Sequence, residues 1–273
     1  MPELPEVECI VRGLRPALVG RRITGFEASW PRQISPSVRG VRAGVRGRRI
    51  EAVWRRGKYV VLELGGGAGL LVHLKMSGRL AVADGDEGER PAHLRALVGL
   101  AGGPPLRFYD ARKFGRVRFT RDLRAALAGL GPEPFDPQLT AARFHAMLRA
   151  RRRQLKPLLL DQAFLAGLGN IYTDEALFAA RLHPLVPAAR LDARRAEALL
   201  EAIRAVLAQG LRCNGTSIDW IYPGGRMQDC LQVYGRRGEP CPRCGAPIRA
   251  RTIGQRTAHF CGRCQPAPRG RAP

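Results

Sequence analysis

Four of the seven cysteines stand as Cys241-x2-Cys244-x16-Cys261-x2-Cys264, and no other feature limits so tightly what the chain can fold into. Two short knuckles separated by a hairpin-length insert bring four thiolates to one tetrahedral point, the coordination that structural zinc takes. One structural Zn ion is therefore the expected cofactor. Two disulfides are the competing arrangement; an odd cysteine total and an N-terminus that does not read as an export signal argue against it. The insert reads as two strands, residues 248–253 and 257–260, around Gly254-Gln255-Arg256. Arg243, Arg249, Arg251, Arg256 and Arg263 are spread over this small element, and Arg256 at the turn is expected to project as a groove or phosphate contact. Cys9, Cys213 and Cys230 read as core or neutral positions, since none stands beside a His partner.

Ahead of this module the texture changes twice. Residues 3–15 have helical spacing: Val7, Ile10, Val11 and Leu14 share a face, Pro5 sits in the first turn, and Glu6 and Glu8 suit the positive helix end. From about Arg22 to Thr120 come short runs broken by glycine, among them 50–54, 59–64, 70–74 and 116–119, the pattern of an antiparallel sandwich. Residues 131–137 have the composition of a linker. Helical spacing then returns over 139–152, 157–162, 171–181 and 192–209. The expected fold is α+β: an N-terminal helix with an antiparallel β-sandwich, a helical domain and a zinc β-hairpin. The expected boundaries are 1–131, 132–231 and 232–266, with a disordered basic tail over 267–273.

The chain carries 46 Lys+Arg against 23 Asp+Glu, a formal net charge of +23. A hydrophobic content of 45% lets it bury a core, which excludes a disordered basic tail as the whole molecule. No apolar run approaches the ~20 residues of a membrane span. A polyanion is the expected partner, and nucleic acid is favoured over an anionic membrane. Of the 46 basic residues only four are lysine: Lys58, Lys75, Lys113 and Lys156. Codon drift toward arginine should spare lysine where an ammonium does what a guanidinium cannot, such as transferring a proton. Asn170, one of two asparagines, follows Gly167-Leu168-Gly169 at a helix start, where backbone amides can cradle a phosphate. Lys156 and the Arg151-Arg152-Arg153 run supply cations nearby.

The N-terminus reads Met1-Pro2-Glu3-Leu4-Pro5-Glu6. Removal of Met1 would leave a free proline amine. A secondary amine bonded to a sugar carbon gives an iminium that cannot relax to a neutral imine. That cation acidifies the neighbouring carbon-bound hydrogen, so strand scission by elimination follows. An α-amino group with a pKa of roughly 8 keeps a nucleophilic fraction near pH 7. Glu3 can donate a proton to the sugar ring oxygen.

Pro2-Glu3-Leu4-Pro5-Glu6-Val7-Glu8 resembles the N-terminus of the formamidopyrimidine-DNA glycosylases, bifunctional base-excision enzymes for oxidised purines. The resemblance runs on through residues 56–59, 73–80, 110–115, 130–134, 156–161, 167–172 and 233–236 and the four cysteines, nearly the whole chain. It implies that Pro2 is the Schiff-base nucleophile and Glu3 the proton donor. It assigns Lys58 to β-elimination, Arg256 to δ-elimination, and Glu6 to holding the site together by hydrogen bonds. It also implies that Met76 fills the hole left by a flipped base, Phe114 wedges beside it, and Arg112 pairs with the orphaned base, which offsets the unstacking cost. Met76 and Phe114 stand at glycine-marked turns, as exposed tips would. His93, Arg151, Lys156 and Asn170 match positions that contact DNA. The implied protein is a monomer of the cytoplasm, associated with the nucleoid, acting on double-stranded DNA.

The sequence departs from the family at Lys75, where glycine is common, and at Lys113, where arginine is common. The segment 215–223, ahead of the loop that caps a flipped 8-oxoguanine, lacks an expected arginine and has Trp220 in place of tyrosine. Two other readings compete. An endonuclease VIII relative acting on oxidised pyrimidines would typically have glycine at Leu4 and lack the Arg112/Phe114 pair. A non-catalytic zinc-ribbon binder would need no Pro2-Glu3.

Overall fold

The computed structural model describes residues 1–82, 92–217 and 224–268. Residues 218–223 of the departing segment and residues 269–273 of the expected tail therefore lie outside the described residues. The chain forms two compact units, one of residues 1–129 with 214–225, the other of 130–213 with 226–273.

The first unit opens on α1 (Leu4–Leu18) and continues with β1 (Ile23–Ala28), β2 (Ile34–Ser35), α2 (Val38–Val45), β3 (Ile50–Arg56), β4 (Tyr59–Leu64) and β5 (Ala68–His73). Then follow β6 (Gly78–Val82), β7 (Leu94–Leu100), β8 (Leu106–Asp110), β9 (Arg116–Thr120) and the short α3 (Leu123–Leu127). The strands make two sheets, ordered β1-β7-β8-β6 and β2-β9-β5-β4-β3. Every pairing is antiparallel except β2 with β9, a two-residue parallel edge. Phe26, Leu80, Val98 and Phe108 from one sheet share a core with Val53, Leu62, Val72 and Val117 from the other, as in a sandwich. Helix α1 joins that core through Val7, Val11, Leu14 and Leu18. It runs three residues past the predicted end despite Pro16 inside it. Pro16 is exposed, and the extra turn buries Leu18 completely, which offsets the lost hydrogen bond.

The second unit holds α4 (Ala141–Arg149), α5 (Leu155–Leu159), α6 (Asn170–Ala179), α7 (Ala193–Arg212) and the hairpin β10 (Ile248–Ile253) with β11 (Arg256–Cys261). Side-chain caps set the starts of two helices: Thr140 accepts from Arg143 N–H, and Asp192 from Arg195 N–H. Helix α5 begins at Leu155 rather than Pro157, because a proline in the first turn gives up an N–H that has no intrahelical partner. Helix α6 stops where Arg181 turns left-handed (φ 57°), with Leu182 N–H bonded back to Leu177 O. The stretch 131–137 is not a free linker. Gly131 N–H bonds to Gln162 O, and Arg204 donates to Pro134 O and Leu139 O, both at 2.7 Å, so the segment is docked on this unit. Among the described residues no helix is long and apolar enough to cross a membrane.

Candidate active site and nucleic-acid interface

In the first unit, strand order gathers the predicted residues. Gly78 at the start of β6 pairs with Asp110 at the end of β8, and Leu94 at the start of β7 pairs with Tyr109. The Met76 turn, His93 and the Arg112–Phe114 loop therefore emerge at one end of one sheet. Phe114 is 48% exposed, Met76 is half-buried, and Arg112 and His93 are exposed. The Arg112 guanidinium lies 5.0 Å over the Phe114 ring. Four non-glycine residues held at positive φ mark candidate tips: Lys75 (53°), His93 (73°), Lys113 (60°) and, in the other unit, Gln255 (63°). Such backbone strain persists only where the surroundings fix it. Glycine is the unstrained residue at such an angle, so the substitution Lys75 makes in the family pattern is a strained one. Lys113 sets its ammonium 4.1 Å over the Trp30 ring.

At the N-terminal end of α1, Pro2, Glu3 and Glu6 are all buried. Glu6 does more than complement the helix dipole. Its carboxylate accepts from Glu3 N–H at 2.8 Å and from Thr216 N–H at 2.7 Å. Gly215 (φ 75°) makes that approach possible, since a Cβ there would lie 2.8 Å from Glu6. The helix is tied to the β3–β4 hairpin by Glu8, which accepts from Arg55 Nε at 3.1 Å, while Arg55 also donates to Gly57 O. Lys58 follows in that hairpin turn and is buried. Tyr59 pairs with His73 across β4 and β5, and their rings meet edge to face with centroids 4.8 Å apart. Burial, with the charges of Lys75 and Lys58 beside it, holds the His73 imidazole down at about 3. The ring is neutral, as its geometry requires, because Nδ1 accepts the Lys75 N–H at 3.0 Å.

In the second unit Asn170 opens α6 and donates from Nδ2 to Thr257 O (2.9 Å), the neighbour of Arg256 on β11. Lys156, expected to face phosphate, is fully buried. Its Nζ donates to Asp174 Oδ1 at 2.5 Å and to Asn170 O at 3.3 Å. This corrects the sequence reading: a carboxylate inside a buried helix needs a cation, so Lys156 lies beneath the surface. Asp174 Oδ2 also accepts from His259 N–H at 2.9 Å and lies 3.3 Å from His259 Nδ1, which registers the hairpin on α6. Ile253 pairs with Arg256, so the turn is Gly254-Gln255, both at positive φ, the type I′ pattern. Arg256 is thus the first strand residue beside the tip, and it is exposed. Arg151 is exposed after α4. Arg243, one of the five module arginines, bonds Phe178 O and Ala179 O at the C-terminal end of α6, where a cation suits the helix dipole.

The four module cysteines hold their sulfurs within 4.8 Å of one another, with Cys241–Cys264 at 3.9 Å and Cys244–Cys261 at 3.5 Å. A Zn–S bond of about 2.3 Å implies tetrahedral edges of about 3.8 Å, so the cluster fits one structural zinc ion. Cys241 and Cys261 also join Phe178, Val233 and Ile248 in a local core, so the metal end is packed against α6.

Three family descriptions match along the chain: "Formamidopyrimidine-DNA glycosylase N-terminal domain" over residues 1–117, its "H2TH domain" over 130–221, and "Zinc finger found in FPG and IleRS" over 238–267. The formamidopyrimidine-DNA glycosylase of Symbiobacterium thermophilum is 45% identical, covering 99% of this chain and 91% of its own. The chain belongs to the formamidopyrimidine-DNA glycosylase family. Among solved structures of that family it resembles Lactococcus lactis Fpg (MutM) with N7-benzyl-Fapy-dG DNA, at 35% identity and a TM-score of 0.90, covering 97% and 100% of the two chains. The complex of L. lactis Fpg with abasic-site DNA matches at 34% identity, the same TM-score of 0.90 and the same coverage.

Sequence reasoning toward this family missed the buried carboxylates Asp110, Asp174 and Glu175. Glu175 accepts from the amides of Gln232, Val233 and Tyr234. Burial pushes its carboxyl up, the three amides pull it back, and Asp174 raises it again. A signal was available: an Asp-Glu pair inside the apolar run Ile171–Phe178 has to be satisfied by something outside its own helix.

Proposed function

We propose that the protein is a bifunctional DNA glycosylase and abasic-site lyase that removes oxidised purines, 8-oxoguanine and ring-opened formamidopyrimidines, from double-stranded DNA. The observation that carries this reading is the placement of Pro2-Glu3 at a buried helix start, with Glu6 locking that start through two backbone amides. Once Met1 is removed, the neutral Pro2 amine bonds to C1′ of the damaged nucleotide. The glycosidic bond breaks and the base leaves protonated. Glu3 delivers a proton to the ring oxygen as the sugar opens, leaving an iminium on Pro2. Loss of a C2′ hydrogen then expels the 3′ phosphate, and a second elimination expels the 5′ phosphate. We assign Lys58 to the first elimination and Arg256 to the second.

Met76 fills the space of the extruded nucleotide, Phe114 wedges the neighbouring step, and Arg112 pairs with the base left behind. His93, Arg151 and Asn170 contact the backbone; Lys156 serves that contact from below by holding the Asn170 carbonyl. The zinc hairpin is structural and presents Arg256. The protein acts as a monomer in the cytoplasm, at the nucleoid.

A lesion panel tests the reading. Duplexes carrying 8-oxoguanine or formamidopyrimidine should be cleaved much faster than thymine-glycol duplexes, and Glu3→Gln should lose cleavage by on the order of a hundredfold or more while still binding. Preference for thymine glycol would favour a pyrimidine enzyme, and equal binding of lesion-free duplex without cleavage would leave only a binder.

A further inference from the structure

We propose that Asp110 and Ser77 are positioning residues that make the Met76 turn and the Arg112–Phe114 loop enter DNA as one body. The proposal rests on the assignment of Met76 and Phe114 as the parts that replace a flipped base.

The backbone places the two tips side by side, since the turn leads into β6 and the loop leaves β8 beside it. One fully buried carboxylate then joins them. Asp110 Oδ1 accepts from the Ser77 hydroxyl at 2.5 Å, and Oδ2 accepts from Gly115 N–H at 2.7 Å and from Gln33 Nε2 at 2.6 Å. Ser77 Oγ in turn accepts from Arg112 N–H at 3.1 Å. Ser77 is the residue after Met76, and Arg112 and Gly115 bracket Phe114, so each apolar tip is held beside its base. No side chain fits at Gly115: a Cβ would lie 2.5 Å from the Phe108 ring and 3.1 Å from Asp110 Oδ2.

Gln33 also donates to Gly115 O at 3.2 Å, which fixes the loop's far end to the segment carrying Trp30. Lys113 caps the same segment through its ring contact. Both Asp110 carboxylate oxygens are satisfied inside this buried network, which makes the junction rigid, and withdrawing one tip breaks the bonds that hold the other. Hole filler and wedge are therefore coupled.

The test is a double-substitution cycle in Met76→Ala and Phe114→Ala, read as single-turnover excision from an 8-oxoguanine duplex. In the native background the double variant should lose about tenfold less than the product of the two single losses. In a Ser77→Ala background the losses should multiply, and Ser77→Thr, which keeps the hydroxyl, should restore the native pattern. Ser77→Cys, with its weak donor, serves as the second uncoupling variant if Ser77→Ala does not fold. A merely structural role would lower the melting temperature with the native pattern unchanged, which overturns the proposal. Losses that already multiply in the native chain also overturn it. If neither single substitution slows excision, the wedge assignment itself fails, and the coupling with it.

Discussion

Each unit builds its candidate site over one buried aspartate, and the two aspartates are satisfied in opposite ways. Asp110 is surrounded by neutral donors, a serine hydroxyl, a glutamine amide and a backbone N–H. Asp174 is held by Lys156 and by the backbone and ring of His259. The difference follows what each site presents. The first carries tips that, on the proposed reading, enter a stacked duplex, and a cation beneath them would add desolvation cost without a contact. The second, on the proposed reading, presents backbone and guanidinium donors to phosphate, and the buried Lys156–Asp174 pair fixes the helix start and the hairpin that carry them. Among the described residues only the second unit gathers a set of metal ligands, because a small hairpin has too little core of its own.

Metal removal should separate the two units most strongly. Thiolate coordination of zinc is worth on the order of 10 kcal/mol in small modules, so a strong chelator should unfold the hairpin and abolish affinity for abasic-site duplex. Bound zinc by elemental analysis should fall in step with affinity and return with it on adding zinc. Affinity untouched by complete zinc loss would break the contrast.

Asp174→Ala comes next. It leaves Lys156 buried without its counter-charge, a loss of about 3–5 kcal/mol in the unfolding free energy of the second unit, read by denaturant titration. A loss below about 1 kcal/mol would mean the pair is dispensable and the charged foundation is misread.

The smallest effect is a pH dependence in the first unit. His73 in the folded chain takes up a proton only near 3, against an ordinary value of 6.5. Between those values the unfolded chain is protonated at this ring and the folded chain is not. Stability is therefore whole above pH 6.5 and declines by about 1.4 kcal/mol per unit as the pH falls toward 3. Melting curves of the native chain and His73→Gln at pH 7 and pH 5 should converge on acidification; parallel curves would place His73 in a wetter setting.

The legibility of this molecule followed how locally each feature is encoded. The cysteine spacing, the Pro2-Glu3 start and the alternation in β3 and β4 depend on neighbours in sequence, and the four-cysteine cluster, the α1 start and those strands all stand in the structure. The buried carboxylates depend on partners far away: Asp110 meets Ser77 across 33 positions, and His259 meets Asp174 across 85. Lys156 looked like a surface cation because nothing in its own segment says that α6 covers it. The docking role of Arg243 was hidden for the same reason, since its acceptors at Phe178 and Ala179 lie more than 60 positions away. The docking of residues 131–137 was hidden by a composition that fits a linker equally well.

The central claim, that Pro2 performs covalent chemistry on DNA, is tested most directly by borohydride trapping on an abasic-site duplex. The native protein should give a covalent protein–DNA complex that survives denaturing electrophoresis, and Pro2→Gly should give on the order of a thousandfold less. Undiminished trapping by Pro2→Gly would place the nucleophile elsewhere and contradict the account.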